Sequence, residues 1–187
     1  MKAKKITSYA DYRKFIFFVF WIMLLSGCGY TTRSAITTYR TIYVEPFKNK
    51  ITYTDEYAEQ RKVLDYFPLL EVKITTATVD RYLFDGNLKV VKEENADVVL
   101  KGELLGYDRE VLRYDDNNNP LEYRINLVVS LSLWDRKENK LLWQESRFIG
   151  DTSYFTSGSL AKSETAAVND AVTDLARRIV ERTVEQW

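Results

Sequence analysis

One stretch constrains the fold more than any other: "LEYRINLVVSLSLW", residues 121–134. In it Tyr123, Ile125, Leu127, Val129, Leu131 and Leu133 alternate with Arg124, Asn126, Val128, Ser130, Ser132 and Trp134. Side chains along a strand point alternately to two faces, so this period predicts a strand buried on one side. The preceding "ADVVLKGELLGYDREVLRY" reads as a second long strand, and the "DDNNNP" between them has turn chemistry. "DRKENK" makes the next turn and "LLWQESRFIG" a third strand. Long strands joined by short turns pair antiparallel.

The flanking segments supply helices. Leu69 to Phe84 reads as one, with Leu70, Ile74, Ala77 and the cluster Tyr82, Leu83 and Phe84 at three-to-four spacing, although its threonines and valines lower helix propensity. Asp85-Gly86-Asn87 closes it as a turn, and "LKVV" returns as a strand. Ser163 to Trp187 is the second helix. Ser163 caps it, Glu164 suits the positive end of the dipole, and Val168, Val172, Leu175 and Ile179 form an apolar stripe. "TIYVEPF" from Thr41 is a buried strand stopped by Pro46. Residues 48 to 68 are charged and aromatic-laced, and no element is assigned there. The class is α+β: two helices packed on one face of a mostly antiparallel sheet of about four strands.

Ahead of this domain lies "KFIFFVFWIMLLSGCGYTT". A buried strand, a transmembrane helix and a cleaved export signal compete for it. The apolar run Phe15 to Leu25 holds eleven residues, short of the roughly 20 a membrane-crossing helix needs. Lys2, Lys4, Lys5, Arg13 and Lys14 precede it against a lone Asp11, the charge pattern of a secretory signal. Leu25-Ser26-Gly27-Cys28 resembles the bacterial lipobox. That pattern implies a lipidated thiol, cleavage before Cys28 and acylation of the new amino group, with palmitate among the chains. Gly29 rather than Asp follows the cysteine, which in proteobacterial lipoproteins points to the outer membrane. One acyl chain anchors only marginally, whereas three hold a protein in a bilayer. The expected organisation is a signal peptide over 1–27, a lipidated N-terminus and tether over 28–40, and one domain over 41–187.

Composition narrows function by exclusion. The chain has 27 basic and 27 acidic residues, one cysteine and no histidine. Loss of residues 1–27 would remove five basic residues and one acidic residue, leaving 22 and 26, a formal balance of −4. A mildly acidic domain has no global charge reason to bind nucleic acid. Without histidine there is no Ser-His-Asp or Cys-His pair, and zinc would lack its preferred ligands. Gly102 and Gly106 sit in a strand and read as bulges or close contacts rather than a phosphate cradle. Glu93/Glu94 and Asp115/Asp116 fall at turns, as solvated surface. "DDNNNP" lacks the spaced ligands of a calcium loop. No enzyme, cofactor or metal site is expected.

The segments "CGY", "TIYVEPFKN", "ADVVLKGELLGYDREVLRY", "LEYRINLVVSLSLWDRKENKLLWQE" and "DLARRIVERTVEQW" are similar, in that order, to the LPS-assembly lipoprotein LptE family. The most specific elements are Ala-Asp-x-x-Leu-x-Gly, Asp-Arg-Lys followed by Leu-Trp, and the late Ala-Arg-Arg helix. The resemblance implies two helices against a four-stranded sheet, and a protein that plugs the LptD β-barrel, binds lipopolysaccharide and supports its delivery to the cell surface. It would be held at the outer membrane by its lipid anchor, on the periplasmic side or within the barrel lumen. The alternative is a lipoprotein that activates or scaffolds another envelope partner, a synthase or a secretion channel. Such activators usually carry a long stalk, whereas about a dozen residues separate Cys28 from the first strand.

The sheet face away from the helices is the candidate contact surface. It carries Arg124, Asn126, Ser130 and Ser132 from one strand. On the strand before it, Lys101, Glu103, Tyr107, Arg109 and Arg113 share one parity, interrupted by Val99, Leu105 and Val111. A polar face with embedded apolar residues suits a polar barrel lumen or, equally, solvent. Lys101, Arg109, Arg113, Arg124 and Asn126 are the candidate lipopolysaccharide or barrel contacts, since guanidinium groups meet phosphate through a planar fork. Any one of these arginines is as well explained by a salt bridge.

Overall fold

The computed structural model describes residues 39–51 and 67–184 of the 187-residue chain. The apolar run, Cys28 and most of the expected tether lie outside the described residues. In chain order the elements are β1 (Thr41–Val44), β2 (Lys48–Asn49), α1 (Leu70–Asp85), β3 (Lys89–Val90), a 3-10 turn (Glu93–Asn95), β4 (Val98–Tyr114), β5 (Pro120–Asp135), β6 (Lys140–Phe155) and α2 (Glu164–Val184).

β4, β5 and β6 form the antiparallel meander that the alternation predicts, with Leu127 of β5 facing Tyr107 of β4 and Gly150 of β6. The sheet is larger than expected, however. Its order is β3-β1-β4-β5-β6, with β2 also paired to β4, giving six strands among the described residues. β1 runs parallel to both β3 and β4, and β2 runs parallel to β4. The expected sheet of about four mostly antiparallel strands is therefore corrected to a mixed one of six. Parallel neighbours need a crossover, and α1 supplies it between β1 and β3. Strands as short as β2 and β3, two residues each, carry no periodicity to be read.

Both helices lie on one face. α2 buries Val168, Val172, Leu175 and Ile179 as expected, together with Ala167, Ala171 and Ala176. The Ala166 N–H donates to Ser163 Oγ at 3.2 Å, so the predicted cap is present. Small residues let the helix approach closely. A Cβ added at Gly150 would stand 2.4 Å from Leu175 Cβ and 2.6 Å from its Cα, so the backbones of β6 and α2 nearly touch.

α1 buries Leu70, Ile74, Thr78 and Tyr82, a narrow stripe spaced by four. Ala77 is partly buried. The hydroxyls of Thr75, Thr76 and Thr78 each donate to the carbonyl four residues back, which satisfies them inside the helix. Tyr82 OH donates to Thr183 Oγ1 at 2.8 Å, tying α1 to α2 within the core. Gly86 ends α1 at φ 75°, its N–H bonded to Tyr82 O, a left-handed cap that suits glycine. Leu83 and Phe84 turn outward instead of joining the stripe.

Candidate functional site

The pleat fixes which side chains point where. Ile125, Leu127, Val129, Leu131 and Leu133 face the helices and are no more than 1% exposed. Their even-numbered neighbours on β5 point to the opposite face, which no helix of the described residues covers.

That face is ordered by register. At the end near β1, Val99, Trp134 and Leu141 align across three strands, followed by Lys101, Ser132 and Gln144. The middle is apolar, with Gly106, Val128 and Ile149 in one row. Beyond it Asp108, Asn126 and Asp151 align, then Glu110, Arg124 and Ser153. Arg124 Nη1 reaches Glu110 Oε1 at 3.4 Å, both side chains well exposed. At the hairpin end Arg113 Nε pairs with the buried Glu122 at 2.8 Å, and its guanidinium lies 5.6 Å from the Phe155 ring centroid.

The first two rows border a shallow depression of about 210 Å³, lined among others by Glu45, Lys48, Lys101, Ser132, Trp134 and Gln144. Trp134 Nε1 donates to Ser132 Oγ at 3.0 Å, and Lys101 Nζ sits 5.5 Å from the indole centroid. Trp134 and Ser132 follow from the alternation alone. Lys48 and Glu45 do not, because their place depends on the parallel pairing of β1 and β2.

Four of the five candidate contacts, Lys101, Arg113, Arg124 and Asn126, share this face; Arg109 does not. The β4–β5 register shifts between Leu104 and Gly106, so Leu105 is an extra residue in β4. Such a bulge reverses the parity of everything after it. Tyr107 and Arg109 therefore pair with Leu127 and Ile125, on the helix side. There Arg109 Nη1 reaches Glu164 Oε2 at 2.6 Å, and Tyr107 OH donates to Glu164 Oε1 at 2.7 Å. Burial and that carboxylate both push the Tyr107 phenol far above its ordinary value. The Arg109 guanidinium also lies 5.1 Å from the Tyr123 ring centroid, and Tyr123 stacks on Tyr154. Arg109 thus holds the N-terminus of α2 to the sheet. Val111 pairs with Tyr123 and leaves the contact face as well.

The family of lipopolysaccharide-assembly proteins LptE matches residues 39–183. The chain belongs to the LptE family. Among solved structures, protein XCC0632 from Xanthomonas campestris is similar at 10% identity and TM-score 0.51, over 78% of this chain and 84% of that one. The PelC dodecamer from Paraburkholderia phytofirmans has 12% identity and TM-score 0.48, over 83% and 96%. Rare lipoprotein B from Shewanella oneidensis has 14% identity and TM-score 0.44, over 77% and 93%. At these identities the first shares the fold, and no more is taken from any of them. No curated protein matches the sequence.

The three motifs that carry the LptE resemblance all serve the fold. In Ala-Asp-x-x-Leu-x-Gly, Ala96 and Leu100 are core residues. Asp97 accepts from the N–H groups of Arg40 and Thr41 and from Thr41 Oγ1. Gly102 leaves room for the Phe47 ring, which would stand 2.2 Å from an added Cβ. Asp135 caps its turn by accepting from the Lys137 and Glu138 N–H groups, and Tyr39 OH donates to its other oxygen. The Asp135 carboxylate raises the Tyr39 phenol to about 12. Trp143 stacks beneath Arg182 at 4.9 Å. Arg177 pairs along α2 with Asp174 and Glu181, while Arg178 reaches across to Asp151 and Ile149 O.

Proposed function

We propose that this LptE-family chain is an outer-membrane lipoprotein, anchored through Cys28, whose domain plugs an LptD-type β-barrel and supports lipopolysaccharide transport to the surface. The observation that carries the reading is the family match over residues 39–183, almost the whole of the expected domain. Its helix-free sheet face, polar with an apolar central row, gives such a plug a surface of mixed character for a barrel lumen. Contact there asks for no catalytic group, and none is assigned. Residues 1–27 are the proposed signal peptide, 28–40 the lipidated tether and 41–187 the single domain. The domain would sit on the periplasmic side of the membrane or within the lumen.

The test is affinity capture of the lipidated protein from native membranes, with identification of what co-purifies. An LptD-type barrel with lipopolysaccharide is expected; a synthase or secretion channel in its place overturns the plug. The anchor is tested separately. Cys28→Ala offers no other thiol for lipidation, so the variant is expected to remain unprocessed. A Cys28→Ala chain that is still cleaved and still partitions into detergent would refute the lipobox.

A further inference from the structure

The end of the domain at which the chain enters carries an apolar prominence that the fold does not use. Leu83 and Phe84, in the last turn of α1, are 63% and 81% exposed. Their neighbour Tyr82 is fully buried and bonded to Thr183, so the turn that presents them is fixed. The Arg81 guanidinium lies 5.3 Å from the Phe84 ring centroid. Its Nε is buried without a hydrogen-bond partner, and among the described residues Arg81 has no ion pair. The nearby Asp85 carboxylate is taken up by the N–H and side-chain amide of Asn87.

Position says what this prominence meets. Lys89 pairs with Thr41, and its N–H donates to Arg40 O at 2.9 Å. The last turn of α1 therefore flanks the point where the chain arrives from Cys28. Even fully extended, the residues from 28 to 41 reach only roughly 40 Å at about 3.3 Å per residue. The β4–β5 turn lies at the other end of the long strands, since Tyr114 pairs with Pro120 while Val98 pairs with Asp135 beside β1.

We propose that Leu83 and Phe84 form a wedge that enters the interfacial layer of a phospholipid bilayer, with Arg81 placed to meet a lipid phosphate. The proposal rests on Cys28 being lipidated, because that brings this end of the domain to the membrane. An aromatic ring suits the boundary between headgroups and acyl chains. A guanidinium held over that ring keeps its charge at headgroup level and can bind phosphate through its free donors. Membrane contact would orient the domain, fixing which end points away from the lipid.

The experiment uses the full lipidated chain on protein-free vesicles of phosphatidylethanolamine and phosphatidylglycerol. Phe84→Cys supplies a thiol for an environment-sensitive fluorophore, and Asn117→Cys in the β4–β5 turn is the control. Flotation reads the anchor, and emission reads the wedge. A several-fold rise in emission with a blue shift is expected at position 84 but not at 117. A chain that floats with both labels aqueous overturns the wedge and leaves the anchor standing; a chain that does not float overturns both. A shift that appears only when an outer-membrane barrel is added assigns the surface to protein and overturns the bilayer.

Discussion

Asp97 shows how one side chain decides a local architecture. It sits where β4 begins and gathers the N–H groups of Arg40 and Thr41, the Thr41 hydroxyl and, at 3.2 Å, Lys137 Nζ. Thr41 Oγ1 in turn accepts from the Asp97 N–H at 2.8 Å. These bonds, led by the Arg40 N–H, hold the carboxyl at about 2 against an ordinary 3.8. A carboxylate whose value is depressed on folding stabilises the fold above its unfolded value and loses that contribution as the pH falls. Stability from Asp97 is therefore fully present above about pH 4 and is lost as the pH falls through about 2. Asp97→Ala is expected to cost about 2 kcal/mol, the scale of hydrogen bonds to a charged group. Denaturant melts from pH 6 to pH 2 check both: the wild type should weaken over the acid part of the range more than the variant does. Parallel curves would mean the carboxylate does not clamp β1.

At the scale of elements, legibility followed chain length and periodicity. β5 stands as its alternation requires, and α2 as its apolar stripe requires, because each repeats a signal over many residues. β2 and β3 had no such signal, and their parallel pairing to β4 and β1 depends on contacts distant in sequence. In α1 the apolar cluster at its end misled: only Tyr82 of the three turns inward, since burial follows the four-residue spacing from Leu70. The bulge at Leu105 cost most for the site. A strict period of two carried Arg109 onto the open face, and one inserted residue returned it to the helix side. Nothing in "GELLGYDRE" marks which residue is extra, although Gly106 beside it allowed for a bulge. Gly150 is the element-scale prediction. Its missing Cβ is where α2 rests, and the obstruction includes the Leu175 backbone at 2.6 Å, which cannot rotate away. Gly150→Ala should cost about 1–3 kcal/mol, as overpacking does. Gly158 offers a control with nothing within 4 Å, although its φ of 86° adds backbone strain of its own. A Gly150→Ala chain melting with the wild type would place α2 farther from β6.

For the whole molecule the division of labour between the two sheet faces is what matters. One face is spent on the core, and its charged residues hold helices in place, as Arg109 does through Glu164 and Arg182 does through Glu145 at 3.0 Å. The other face keeps Lys101 and Arg124 with weak or no ion pairing, the Arg124 contact being a long 3.4 Å between exposed groups. Arg113 belongs between these cases, since reversing it would leave the buried Glu122 against a second carboxylate. If the open face meets the barrel, the informative variant is Lys101→Glu with Arg124→Glu. Both positions are exposed, so stability should change by no more than about 0.5 kcal/mol, while capture of the barrel and binding of lipopolysaccharide fall together. Arg109→Ala should do the opposite: it loses an ion pair of partial exposure, costing about 1 kcal/mol at most, and leaves capture unchanged. Pull-down with matched circular dichroism and melting on both variants separates the two faces. Undiminished capture by the double variant would remove the open face as the contact. Lost capture in Arg109→Ala, with its fold intact, would move the contact around the sheet edge to the start of α2.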